Sequence, residues 1–347
     1  MDKKTNFISS IKVACIFAGL IFGAGFASGR EHMTFFVRFG QAGVYGIIIA
    51  GVVIALCAIA VMDICTRYKI KDYKGFMQVV FGKRAGAVLD IITGLFIFVM
   101  FSAMLAGAGA LGTQLLEIPT SIGVFIVAGL CFGVLLFDLK GIVEINVIVT
   151  PILIIGALAL GIYGILNANY QPVQYTTAQA TMPFMALSYA SYNMLTAIAV
   201  LSALPTLITN KKIARTGGLL GGAIIILIGI IFVMALLNNP GFVQTAQMPM
   251  LALASQASPI AYFGYTALLF LAIFTTAATN GFALLRWLLT RTRFTKMQLK
   301  ILITTLGITT AHLGFGTMIN YTYTAFGFLG ILVVVKIIYK YIKRTTA

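Results

Sequence analysis

An all-α membrane protein of about ten spanning helices is what this sequence predicts, and three observations carry the prediction. Hydrophobic residues make up 60% of the 347 positions and charged ones 9%, with a mean hydropathy of +1.03. A soluble chain of this length needs a far more charged surface. Apolar stretches of roughly 18 residues or more recur along the chain, the length that crosses a bilayer as a helix. The ten-residue alternation of a membrane β-barrel is missing.

Turn residues and charge clusters bound the first five spans near 11–39, 42–66, 85–116, 119–137 and 141–166. Five more follow near 179–206, 215–238, 258–289, 297–314 and 318–341. The polar stretch between the two sets, Asn167 to Thr181, carries no Lys or Arg. Basic residues test this layout independently. Of the 24 Lys and Arg, all but Arg30 and Arg38 fall on one side of an even-numbered arrangement. The positive-inside rule makes that side cytoplasmic, with both termini there. The net charge of +16 therefore belongs to loops that set orientation, and no nucleic-acid partner is expected. No small-residue cleavage site follows the first apolar run, so that run is expected to stay as a helix. Cys15, Cys57, Cys65 and Cys131 lie in or at the ends of apolar segments without a CxxC pair. Neither a disulfide framework nor a zinc site is expected.

The first span is unusual. About 29 residues of helix would reach roughly 43 Å at 1.5 Å per residue, beyond a hydrocarbon core of about 30 Å. In its middle stands Gly23-Ala24-Gly25-Phe26-Ala27-Ser28-Gly29. Each glycine weakens a helix by roughly 1 kcal/mol relative to alanine, and unwound backbone in a membrane is tolerated only inside protein or beside a cavity. Two readings stand at this point: GxxxG helix packing (Gly19 with Gly23, Gly25 with Gly29), or a break that binds a solute. The sixth span bears on the choice. It carries Ser188-Tyr189-Ala190-Ser191-Tyr192-Asn193 and then Thr196 within an apolar stretch, and buried polar groups need partners. Hydrogen bonding to neighbouring helices is one outlet for them. Interrupted helices at equivalent positions, first and sixth of ten, instead point to a transporter site. Five spans per half is odd, so the second half (179–341) must sit upside down relative to the first (11–166) within one transmembrane domain, 1–347. The expectation is a 5+5 inverted repeat with spans one and six discontinuous.

These residues resemble the LeuT-fold transporters of the amino acid–polyamine–cation superfamily. The run Gly23 to Glu31, followed by Phe35-Phe36 and Phe39-Gly40, looks like that of the YkvI-like bacterial membrane proteins. The resemblance implies a secondary active transporter of an amino acid or similar small zwitterion, working by alternating access in a bacterial cytoplasmic membrane. It implies solute contacts from Gly23, Ala24, Gly25, Phe26 and Ser28 of the first span, and from Ser188, Tyr189, Ser191, Tyr192 and Asn193 of the sixth, with Ser102 of the third in addition. Half-helix N–H groups attract a carboxylate, while carbonyls and hydroxyls accept from an ammonium.

In sodium-coupled members an ion sits between the first and eighth helices. Here Gly19 and Phe22 would supply first-helix carbonyls, and Ala272, Thr275 and Thr276 the eighth-helix ligands. The alternative for the two threonines is bonding to the preceding turn of their own helix. The fifth span contains no lysine of the kind some proton-driven relatives use. Arg30 and Glu31 stand in the outer half of the first span, either as a solvated pair or as an external gate or proton-coupled carboxylate. Asp63, Asp90, Asp138 and Glu144 are expected to pair with loop cations, and His312 to be a packing residue. Apart from sodium no cofactor is expected, and the partners are the bilayer and a small solute. A transporter-shaped solute sensor, like a spore-germination permease, is the second functional reading. Enzyme motifs such as HExxH and GxSxG are absent.

Overall fold

The spans pack mainly against partners distant in the chain, the seventh on the first and second, the sixth on the second and tenth, and the eighth on the third, and glycines set how closely several of them approach. In this computed structural model residues 3–70, 72–137, 141–168, 178–202, 208 and 210–343 are described, with side chains except at 3–5, 141–150 and 242. The first span has three pieces, Lys3–Ile21, Ala24–Ala27 and Arg30–Phe35. Spans two to five are Ala42–Tyr68, Lys83–Leu116, Thr120–Leu136 and Gly141–Leu166. Spans six to nine are Met182–Leu201, Lys211–Leu237, Pro259–Leu289 and Lys296–Ala311. The tenth runs Phe315–Thr317, then a π-helical stretch Met318–Tyr323, then Thr324–Lys343. Among the described residues six helices are long and apolar enough to cross a membrane alone, the second, third, seventh and eighth spans among them. Three shorter helices between the spans, which the sequence reading did not anticipate, are Tyr73–Phe81, Pro240–Val243 and Pro249–Ala257.

Small residues set the central contacts. On the seventh span, Gly217 and Gly221 lie against Val13 and Phe17 of the first. Gly218 and Gly222 lie against Ile59 and Ala55 of the second. Two interleaved GxxxG pairs thus let one helix approach two neighbours at backbone distance. The outer faces carry large apolar side chains toward the surroundings, among them Leu219, Leu227, Ile155 and Leu332, as a lipid-facing surface requires.

Hydrogen bonds tie the two ends. At the basic end, Asn210 donates to Asn6 (3.0 Å), Lys300 to the Leu136 carbonyl (3.5 Å) and Lys340 to the Val79 carbonyl. There Arg291 pairs with Asp90, and Arg67 approaches Asp63 at 3.9 Å, the pairing expected of these carboxylates. At the opposite end, Tyr163 donates to the Gln256 carbonyl and Tyr262 to the Gln114 carbonyl, each at 3.0 Å. His312 Nδ1 lies 2.8 Å from the Ile308 carbonyl of its own helix. Asp138, Lys140, Lys71, Arg344 and the side chain of Glu144 lie outside the described residues.

One expectation is corrected. The sixth span is not interrupted at Ser188–Asn193; it is continuous α-helix from Met182 to Leu201. It contains no glycine, and Ser188, Asn193 and Thr196 find hydrogen-bond partners with the helix intact.

Candidate functional site

The first span breaks twice within seven residues. Its long inner piece ends at Ile21, and the Gly23 N–H turns back to the Ile21 carbonyl at 2.9 Å. Gly23 itself is extended (φ −78°, ψ 179°) and has open space where a Cβ would project. A single turn, Ala24–Ala27, follows. Ser28 then closes it, its hydroxyl donating to the Gly25 carbonyl at 2.9 Å and accepting from the Arg30 N–H at 3.3 Å. Gly29 adopts φ +79°, a left-handed conformation that glycine enters without steric penalty, and the last piece starts at Arg30.

Broken backbone leaves carbonyls that other elements must satisfy. Tyr265 of the eighth span donates to the Ala27 carbonyl at 2.6 Å. The Met250 N–H, in the short helix Pro249–Ala257, donates to the Ser28 carbonyl at 3.0 Å. The second break is thereby pinned from two sides.

Beyond it, Arg30 and Glu31 diverge and do not pair with each other. The Arg30 guanidinium reaches the Ala246 carbonyl at 3.3 Å and lies beside Gly316, whose N–H donates to Gln247. Glu31 turns inward. It is 6% exposed, and its carboxyl rests on Gly25, at the place where any Cβ would project. Of the two readings of Arg30 and Glu31, the solvated pair near the outer mouth does not fit. Arg30 bonds to a loop, and Glu31 is buried in the bundle.

Around Glu31 stand the phenols of Tyr189 and Tyr192 from the sixth span and Tyr323 from the tenth, all within its electrostatic reach. The Tyr192 hydroxyl faces the carboxyl without closing a well-formed hydrogen bond. Glu31 Oε2 and the three phenol oxygens have no hydrogen-bond partner. On the other face of the same segment, His32 is fully buried, edge-on to Phe26 with ring centroids 4.3 Å apart and near Phe232 at 5.2 Å. Thr34 donates to Asn320 in the π-helical stretch. His32, Asn320 and Tyr323 were not singled out from the sequence.

The remaining candidates separate. Ser188 donates to the Thr324 carbonyl at 3.1 Å, and Gly327 packs directly on it. Ser191 lies against Gly330. These two serines therefore face the tenth span, away from the break. Asn193 donates to the Tyr189 carbonyl (3.0 Å) and Ser102 to the Phe98 carbonyl (3.0 Å), each within its own helix. Ala24 and Phe26 are buried, with Phe26 edge-to-face on Phe22 at 4.4 Å between ring centroids.

Of the ion-site candidates, Thr275 donates to the Leu271 carbonyl of its own helix at 2.8 Å. Phe22 and Ala272 are buried, while Gly19 and Thr276 are half-buried. Among the described residues no three His, Cys, Asp or Glu side chains gather as a group that could hold a metal ion.

Comparison with known proteins agrees with this architecture. No family model matches the chain. A Bacillus subtilis membrane protein, YkvI, is 28% identical over 332 residues, covering 93% of each chain. YyaD of the same organism is 23% identical over 330 residues, covering 94% of this chain and 95% of its own. Among solved structures, the inward-facing form of Mhp1 superposes with a TM-score of 0.64 at 14% identity, covering 95% of this chain and 75% of that one. A manganese transporter of Eremococcus coleocola superposes with a TM-score of 0.61 at 14% identity, covering 96% and 79%. The fold is thus the LeuT-like fold of these transporters.

Proposed function

We propose that the chain is a secondary active transporter that moves a small amine-bearing solute by alternating access. The observation that carries this reading is the twice-broken first span, held open by other elements beside a cluster of buried, unpartnered polar groups. Discontinuous helices at mid-membrane are where transporters of such folds bind solute. Mhp1 (a nucleobase-cation-symport-1 family transporter) and the manganese transporter support the mode of action. They do not set the cargo: His32 packs on Phe26, and among the described residues no group of three His, Cys, Asp or Glu side chains forms around it and Glu31.

An amino acid is the solute the resemblance implies, with its ammonium toward the hydroxyls and carbonyls of the site. Sodium is the coupling ion it implies, held by the Gly19, Phe22 and Ala272 carbonyls and the Thr275 and Thr276 hydroxyls. The Thr275 hydroxyl donates its hydrogen to its own helix, which leaves its oxygen lone pairs for such an ion. The basic end of the bundle faces the cytoplasm of a bacterial cell in this reading.

Counterflow in proteoliposomes tests it, with a panel of amino acids and small amines. Exchange of labelled solute is expected, and Thr276→Ala should lower uptake and weaken its sodium dependence. Solute binding with no counterflow for any compound would replace the transporter with a sensor. Unchanged sodium dependence in Thr276→Ala would remove the ion site alone.

A further inference from the structure

Glu31 is the charge in the bundle that its surroundings do least to compensate. Outside the first span, the sixth span, the π-helical stretch of the tenth and the seventh span pack against its segment; within the first span the adjoining pieces Ala24–Ala27 and Val37–Phe39 do so too, the latter carrying Arg38 over the Phe39 ring. The sixth brings Tyr189 and Tyr192, and the tenth brings Tyr323. The seventh carries its charges, Lys211, Lys212 and Arg215, in its first turns at the basic end, where Asn210 bonds to Asn6. On Glu31's own segment, Arg30 is turned to the Ala246 loop and His32 into Phe26 and Phe232. Among the described residues no cation faces the carboxyl.

An isolated carboxylate in a low-dielectric interior is strongly disfavoured. A carboxyl so placed is neutralised either by a proton or by a cation that enters beside it. What surrounds it is aromatic and hydroxyl-bearing, with the rings packed on one another. Tyr189 and Tyr192 have ring centroids 5.4 Å apart, and Tyr192 and Tyr323 are 5.2 Å apart. Phe35 and Phe96 close the outer layer, at 5.5 Å and 5.9 Å from Tyr192. Aromatic faces attract cations, and cages of them bind substituted ammonium groups. Tyr323 ends a six-residue π-helical stretch, a distortion that recurs at functional sites. Gly25 is what lets the carboxyl reach this place, since a side chain there would collide with it.

Resting on the transporter reading above, we propose that Glu31, Tyr189, Tyr192 and Tyr323 bind the solute's ammonium group, and that this cation displaces the proton of Glu31. One amine cation then moves against one proton. The proton leaves to the side from which the amine arrives. After the amine is released on the other side, Glu31 takes a proton from there. For an amine without a carboxylate of its own, the site crosses neutral in both directions, loaded as carboxylate plus ammonium and returning as carboxylic acid, so no uncompensated charge traverses the membrane.

Tetramethylammonium is a suitable probe, because it has no proton to lose and does not cross lipid as a neutral base. Added to the purified full chain in weakly buffered detergent solution, it should release close to one proton per cation bound. Glu31→Gln should abolish that release and weaken binding at least tenfold at an unchanged melting temperature, since the carboxamide keeps shape without charge. Tyr192→Phe keeps the ring and removes the hydroxyl that faces the carboxyl. It should shift the pH of half-maximal release, which a purely structural role would not do. In proteoliposomes with an acid interior, tetramethylammonium uptake should rise at least fivefold over a zero-gradient control.

Binding without proton release, or release undiminished in Glu31→Gln, overturns the proposal. Sodium-driven uptake of an amino acid that Glu31→Gln leaves intact overturns it too, while keeping the transporter. Proton release that depends on Glu31, without uptake of any solute, supports the cage and removes the transporter reading instead.

Discussion

The first and sixth spans touch one another, and both carry small and polar residues in mid-span, yet only the first is broken. The difference lies in where backbone and side-chain polar groups find partners. In the first span Gly23, Gly25 and Gly29 remove the side chains that hold a helix together, and outside donors (Tyr265 and the Met250 N–H) capture the freed carbonyls. The sixth span has no glycine from Met182 to Leu201. Three of its polar side chains bond without disturbing the ladder: Ser188 to the Thr324 carbonyl, Asn193 and Thr196 to their own helix. Glycines matter there too, but on the partner, where Gly327 and Gly330 bring the tenth span onto Ser188 and Ser191. Polar residues in a span thus signal burial, whereas missing side chains flanked by outside donors signal a break.

The largest effect is expected at Gly327. A Cβ there would meet the Ser188 hydroxyl and backbone carbonyl together, and backbone gives way less readily than a side chain. Gly327→Ala should therefore destabilise the bundle by roughly 1–3 kcal/mol, the usual range for overpacking, read as a lowered melting temperature in detergent. A variant that melts like the wild type would mean the sixth and tenth spans are not held at backbone distance.

Tyr265→Phe probes the other side of the comparison. Loss of the phenol leaves the Ala27 carbonyl buried and unpaired, which costs on the order of 1–3 kcal/mol. If the break is held open from outside, the loss should fall on solute affinity more than on melting temperature, as about a tenfold rise in Kd for the transported solute. Equal affinity in the variant would show that the break keeps its shape without this anchor.

How far the site could be read beforehand follows from the same physics. The run Gly23 to Gly29 announces its break because glycine acts locally, through its own φ, ψ and lack of a Cβ. Glu31 is conspicuous as a carboxyl in an apolar helix. Its inward direction is not, because that depends on the space left by Gly25 one and a half turns away. Ser188 and Ser191 are legible as buried polar residues. Their partner surface, more than a hundred positions later in the chain, is a fact of packing alone. Tyr323 and Asn320 lie in a span that reads as ordinary apolar helix, and a π-helical stretch leaves no mark in composition. His32 is hidden similarly, since only the fold surrounds it with Phe26, Phe36 and Phe232.

The smallest expected effect is the most discriminating. Ser188 was a candidate for touching the solute, and the structure gives its hydroxyl to the Thr324 carbonyl at 3.1 Å. That carbonyl begins a regular helical segment and so keeps an acceptor role when the serine is removed. Ser188→Ala then removes one donor–acceptor pair without stranding a buried group, which is worth about 0.5–1.5 kcal/mol of stability. Alanine also relieves the tight approach of Gly327, which offsets part of that loss. Solute affinity should stay within about twofold of wild type, measured by the same binding assay used for Tyr265→Phe. A tenfold loss of affinity at unchanged melting temperature would place Ser188 against the solute. The sixth span would then join the first as a wall of the site through its serines as well as its tyrosines.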